Sequence, residues 1–219
     1  VVIRLRPVFG SKGIELSLLS IALTGDGTWE SSYVLPALAE RFDGTDKALL
    51  IPVAYPHVVR GRKTSSRFAG FSILQAVKTY TSEYGVNKYL IVIDKEHSNG
   101  RGLSDEAREK LEEYGFLDVS SRLLAQDAAS IECKHGSHEI CIKATFSGRD
   151  KRIEENIAEL ISLELGIPIE PNKDSIRNTL KQHNLDLRRL VGRARMNNLS
   201  RAFPALCAAL KSLEASCNP

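Results

Sequence analysis

No apolar stretch in the 219 residues approaches the roughly 18 consecutive positions of a membrane-spanning helix, so none is expected. The nearest approach, residues 16 to 23, has Arg4 and Arg6 upstream like a secretory signal. However, Glu15 abuts it and no small-residue cleavage site follows, so it reads as a buried strand and the chain as cytoplasmic. The chain opens on Val1 rather than Met, which leaves its true start open. Cysteine is scarce: Cys133, Cys141, Cys207 and Cys217 form no disulfide framework at this length, in keeping with a reducing compartment. Linkers rich in Gly, Ser or Pro, repeats and low-complexity tracts are absent. So are both common nucleotide motifs, because Gly25-Asp26-Gly27 lacks the third glycine of a dinucleotide fingerprint and the lysine of a P-loop.

What remains is a chain with 42% hydrophobic residues, enough for a sizeable core and one compact unit. Strands are expected near 16 to 24, 47 to 54 and 88 to 94, and helices near 31 to 42 and 68 to 84. A further helix is expected with Ser104 as its cap, Asp105 and Glu106 in its first turn and Gly115 beyond its end. The runs Leu16 to Leu23 and Tyr89 to Ile93 do not alternate. This suits strands buried on both faces, although a buried helix also fits the first. Alternating β and α predicts an α/β fold, a mainly parallel sheet with helices on both faces, with residues 1 to 9 and a hairpin around 128 to 147 as antiparallel additions. The core would occupy 1–150 and a helical extension 151–219. In that extension Ile153, Ile157, Leu160, Ile161 and Leu165 form a stripe stopped by Gly166-Ile167-Pro168, and helices follow near 173 to 183, 185 to 197 and 200 to 214.

The segment Cys133 to Cys141 holds two Cys and two His, but at no common zinc spacing. With Gly136-Ser137 as a two-residue turn, His135 faces His138, Lys134 faces Glu139, Cys133 faces Ile140 and Ile131 faces Ile142. That register puts Cys133 and Cys141 on opposite faces of the ribbon, which excludes a shared metal ion.

Net charge is only +3, yet its distribution is uneven. Between Ser175 and Lys211 stand Arg177, Lys181, Arg188, Arg189, Arg193, Arg195, Arg201 and Lys211, against Asp186 alone. Arg60, Arg62, Lys63 and Arg67 form a second cluster. Any one of these can be a solvated helix face; together they suit a polyanion such as DNA or RNA. Arg60, Arg62, Lys63, Arg188, Arg193 and Arg195 are the candidate phosphate contacts.

Two acidic clusters follow strand-length apolar runs: Gly25-Asp26-Gly27-Thr28-Trp29-Glu30 and Asp94-Lys95-Glu96. In a parallel sheet the carboxyl ends of the strands share one edge, so these oxygens can converge on a hard cation such as Mg²⁺ or Mn²⁺. Asp26 and Asp94 suffice for one ion, with Glu30 or Glu96 as base and Arg62 or Lys63 neutralising developing charge. A plain capped turn, with Thr28 as cap, also accounts for the first cluster, and a polar loop for the second. His97 reads as a solvent-facing turn residue that is neutral near pH 7.

Strand, Gly25-Asp26-Gly27-Thr28-Trp29-Glu30, a helix with Leu35-Pro36-Ala37-Leu38 and a later strand ending in Asp94-Lys95-Glu96 resemble a Toprim domain. The opening is most similar to Toprim-like proteins of uncharacterised function related to the OLD-family nucleases. The resemblance covers roughly residues 16 to 165 and implies a Toprim/Rossmann-like sheet that binds magnesium for phosphoryl transfer or strand cleavage. It places Asp26 in the role of the first acid, where the family usually has Glu, and Asp94 and Glu96 in the role of its Asp-x-Asp pair. Glu30 would add a carboxylate one helical turn on. Arg152-Ile153-Glu154-Glu155-Asn156 resembles a helix start in those relatives whose Glu lies near the metal, which makes Glu154 a further ligand candidate. Acidic residues in a first turn are equally explained by the helix dipole.

The expected function is a Mg²⁺-dependent nuclease, with Asp26, Glu30, Asp94 and Glu96 catalytic and a partner ATPase conceivable. The alternatives are a non-catalytic nucleotide- or nucleic-acid-binding module of the same fold, and a regulatory subunit whose basic tail meets a partner.

Overall fold

A computed structural model describes residues 2–3, 19–24, 29–42, 48–51 and 69–215. Its strands are β1 (Val2–Ile3), β2 (Leu19–Thr24), β3 (Ala48–Leu50), β4 (Lys88–Asp94), β5 (Leu117–Ala125), β6 (Ala128–His135) and β7 (His138–Ser147). They form one sheet in the order β1-β3-β2-β4-β7-β6-β5. Pairing is parallel from β1 through β7 and antiparallel for β7-β6-β5. The helices are α1 (Leu35–Ala39), α2 (Leu74–Tyr84), α3 (Leu103–Glu113), α4 (Ile153–Leu165), α5 (Lys173–Gln182), α6 (Leu187–Arg193), α7 (Met196–Ala202) and α8 (Pro204–Ala215). The protein is thus α/β, with a mostly parallel mixed sheet flanked by helices. No helix among the described residues is long and apolar enough to cross a membrane.

The unbroken apolar runs are buried on both faces, as parallel strands require. Ile21 and Leu23 with Tyr89, Ile91 and Ile93 meet α2 and α3. Ala22, Leu90 and Val92, one residue out of phase, meet α1, α4 and the later helices. Each buried aliphatic side chain is worth roughly 1.5–3 kcal/mol. Ile153, Ile157, Leu160 and Ile161 of α4 are all in this core, so α4 completes the second face of the sheet. At its end Gly166 takes the C-cap, as expected.

The β6–β7 hairpin has the expected register, from His135 opposite His138 to Ile131 opposite Ile142. Gly136 has φ +60°, the conformation that the first position of a type II′ turn demands of glycine. Cys133 is buried and Cys141 half-buried, and neither is in a disulfide. Burial pushes the Cys133 thiol up to about 12 and that of Cys207 up to about 11, the behaviour of packed, unreactive sulfur.

Four expectations are corrected. The described part of residues 1 to 9, β1, pairs parallel to β3, not antiparallel. β5 is an additional strand at the sheet edge, with Leu117 and Leu123 exposed, so burial had left no alternation to read. Ser104 does not cap α3: the helix starts one residue before it, after Gly102, and the Ser104 hydroxyl is buried inside the first turn. The tail beyond 185 holds three helices, not two, because the extended Ala194-Arg195 link divides α6 from α7, and Pro204 at the start of α8 divides α7 from α8.

Candidate functional site

Three side chains meet at the carboxyl edge of the sheet. Glu30 opens the π-helical turn Glu30–Val34 that leads into α1, and it is only 3% exposed. Such turns recur at functional sites. Asp94 ends β4, Ser147 ends β7, and parallel pairing sets the two in register. The Ser147 hydroxyl donates to Asp94 Oδ1 at 2.6 Å and lies 3.2 Å from Glu30 Oε1. One hydroxyl carries one proton, so it cannot satisfy two ionised carboxylates at once. Burial, then the charge of Asp94, pushes the Glu30 carboxyl well above its ordinary range; the hydrogen bond that it shares with Asp94 acts in the same direction. Burial and the Asp94 charge thus favour the protonated form of Glu30.

The loop that carries Ser147 is fixed from α4. Asn156, buried, accepts from Gly148 N–H at 2.6 Å and donates to the Ala202 carbonyl at 2.6 Å. Glu155 Oε2 accepts from the N–H groups of Arg149, Asp150 and Lys151 at 2.8, 2.7 and 3.2 Å. Partial burial opposes ionisation of Glu155. The backbone N–H groups of Asp150, Lys151, Arg149 and Arg152 outweigh it and hold the carboxyl below its ordinary value of 4.5. A depressed carboxylate stabilises the fold above its ordinary value, and that contribution is lost as pH falls through the folded-state value. Glu155→Gln is accordingly expected to cost about 1 kcal/mol at pH 7. Urea unfolding of variant and parent should converge as pH falls through the folded-state value of Glu155, and a difference that stays constant on acidification would contradict this account.

The remaining acidic candidates are engaged elsewhere. Glu96, in the 3₁₀ turn Lys95–His97, accepts from Arg152 Nε at 2.5 Å. Glu154, buried at the start of α4, faces Lys173 Nζ at 3.5 Å. Arg152 also lies in the field of Glu154 and Asp94, so it interacts with three carboxylates. Lys95 turns away to Asp127 and the Arg149 carbonyl, both at 2.8 Å. His97 is half-buried, not solvent-facing: a Cβ added at Gly70 would lie 2.8 Å from that of His97, so the imidazole packs on bare backbone.

The structure thus brings together Glu30 and Asp94 of the expected set. Among the described residues, no three His, Cys, Asp or Glu side chains converge as metal ligands. Asp26, with Arg60, Arg62 and Lys63, lies outside the described residues. Arg188 reaches Glu40 at 2.6 Å, ten helical residues past Glu30 and so about 15 Å along the axis. The backbone of Arg195 meets Glu164 at 2.9 Å, about 15 Å along α4 from Glu154. Arg193 ends α6 and is exposed. Arg152 lies in the field of Asp94, Lys173 faces Glu154, and Arg177 lies over the Trp29 ring at 5.8 Å from its centroid. Ser147 carried no signal of its own in sequence; only the pairing of β4 with β7 identifies it. Comparison with protein-family models, curated proteins and solved structures finds no match, so the Toprim-like resemblance rests on these residues alone.

Proposed function

We propose that this chain is a Toprim-like, Mg²⁺- or Mn²⁺-dependent phosphodiester-cleaving protein that acts on nucleic acid. The observation that carries the reading is the contact of Glu30 with Asp94 at the carboxyl ends of β2 and β4. Burying one carboxyl against another is costly; a proton shared by the two relieves it, and so does a divalent cation. The donor set fits such an ion: two carboxylates and a hydroxyl are hard oxygen donors, and Mg²⁺ takes one or two carboxylates while keeping several waters. Bound there, the ion would supply Lewis acidity toward a phosphate oxygen and a more acidic water. Of the chain's own groups, Asp94 and Glu30 would hold the ion, Asp26 would add a carboxylate, and Ser147 orients Asp94. Arg152, in the field of Asp94, would offer countercharge to phosphate oxygens. A second reading, a binding module of the same fold that does not cleave, is favoured by the pairing of Glu96 with Arg152, which leaves no evident base.

Trp29 is the only tryptophan and adjoins Glu30, so its fluorescence reports on the site. Titration with Mg²⁺ and Mn²⁺ should give a saturable change in the parent that Asp94→Ala abolishes, with metal-dependent cleavage of labelled DNA or RNA. Metal binding without cleavage would select the binding module. No response of either protein to millimolar metal, by fluorescence and calorimetry, would refute both metal binding and metal-dependent cleavage.

A further inference from the structure

A cleft of ≈ 440 Å³ opens between the turn that leads into α1 and the α5–α6 turn. Trp29, Tyr33, Arg177, Lys181 and Asn184 line it, with the Arg177 guanidinium over the Trp29 ring. Tyr33 is 43% exposed, a large ring left in solvent. Arg177 and Lys181 are four residues apart on α5, both exposed, so they present charge from one face of the helix. Asp186, the one carboxylate among the described lining residues, already accepts from Arg189 N–H at 2.7 Å and faces Arg189 Nε at 3.2 Å, so the described lining is basic. Aromatic rings beside cations, in a concavity of this size, have the chemistry that receives an unpaired base and its phosphates. A base in a duplex keeps its π-face covered by its neighbours, whereas a single strand offers that face.

We propose that this cleft takes one base of a single-stranded nucleic acid, stacked on Tyr33 beside Trp29, with the adjoining phosphates on Arg177 and Lys181. It rests on the reading of Glu30 and Asp94 as the reacting site of a nucleic-acid-cleaving protein, and Trp29, in the cleft lining, is the residue before Glu30 in the chain. Asn184 offers an amide to the base edge.

The test is anisotropy of a labelled 12-residue oligonucleotide, as single-stranded DNA, single-stranded RNA and duplex DNA, with the full chain in EDTA. The single strands should bind tighter than the duplex, and the tighter of the two names the sugar preferred. Tyr33→Ala should weaken single-strand binding about tenfold. Arg177→Gln should lower the salt slope by about one. Both positions are exposed, and circular dichroism checks that the variants stay folded. Equal affinity for duplex and single strand, or a folded Tyr33→Ala that binds like the parent, overturns the proposal. EDTA separates the two readings. Tyr33-dependent binding in a protein with no metal response keeps the cleft and removes cleavage; metal-dependent cleavage with Tyr33-independent affinity does the reverse.

Discussion

Gly148→Ala is expected to lose about 4 kcal/mol of stability, and to disturb the acid pair with it. Gly148 has φ +86°, where an L side chain is strained by about 1–3 kcal/mol. A Cβ there would also lie 2.4 Å from Arg152 N and 2.7 Å from the carbonyl carbons of Lys151 and Arg152, all of them backbone atoms. Overlap with packed backbone costs a further 1–3 kcal/mol or so. The loop cannot simply retreat, because Asn156 holds Gly148 N–H and Glu155 holds the next three N–H groups. Moving it would drag Ser147 off Asp94. Gly192→Ala is the matched control: it lies inside α6 with nothing within 4 Å of its added Cβ, so alanine should stabilise by up to about 1 kcal/mol. Urea midpoints of the two variants should move in opposite directions. A Gly148→Ala protein within about 1 kcal/mol of the parent would mean that the loop is not held as described.

The same loop marks the limit of what the sequence discloses. β4 was legible to the residue, Lys88–Asp94, because five consecutive apolar residues bounded by Lys88 and Asp94 leave one choice. The hairpin register was legible because a two-residue turn fixes every pair that follows. Asp94 could be found because an acid that ends an apolar strand is conspicuous, and Glu30 because it belongs to the acidic cluster that follows the first apolar run. Ser147 could not, since a serine at the end of a strand is ordinary, and its meaning comes from a parallel partner 53 residues away. Glu154 and Glu155 show a different limit. Neighbouring acids in a first turn look alike in sequence, yet Glu155 organises the loop while Glu154 faces Lys173. β5 and the α6–α7 break escaped for a third reason: an exposed edge strand has no buried face to read, and Ala194-Arg195 carries no glycine or proline to mark the break. The basic tail was visible as a charge excess, but only packing separates Arg177, over Trp29, from Arg188, beside Glu40.

Asp94→Asn should make the metal-free protein more stable and the metal-saturated one less stable than the parent, so that the two stability curves cross. The first half follows from the like-charge contact between Glu30 and Asp94. Removing the Asp94 charge lifts the like-charge term on Glu30. The new amide still offers an oxygen to Ser147, now 2.6 Å from Asp94 Oδ1, and an N–H to Glu30. Relief of about 1 kcal/mol is expected in EDTA. The second half follows from linkage. A cation that binds only the folded parent adds about 2.7 kcal/mol at one hundred times its Kd, and the variant loses most of that. Any cleavage should fall at least about a hundredfold, since the reacting site loses a charge and not merely a contact. Glu30→Gln serves as the coupling partner: if the two carboxyls act as one unit, the double variant should differ from the sum of the singles by at least about 0.5 kcal/mol. Thermal unfolding of the four proteins across a Mg²⁺ series measures all of this. Curves that run parallel, with Asp94→Asn below the parent at every concentration, would assign Asp94 to holding Ser147 and the loop, and would take the metal from this edge of the sheet.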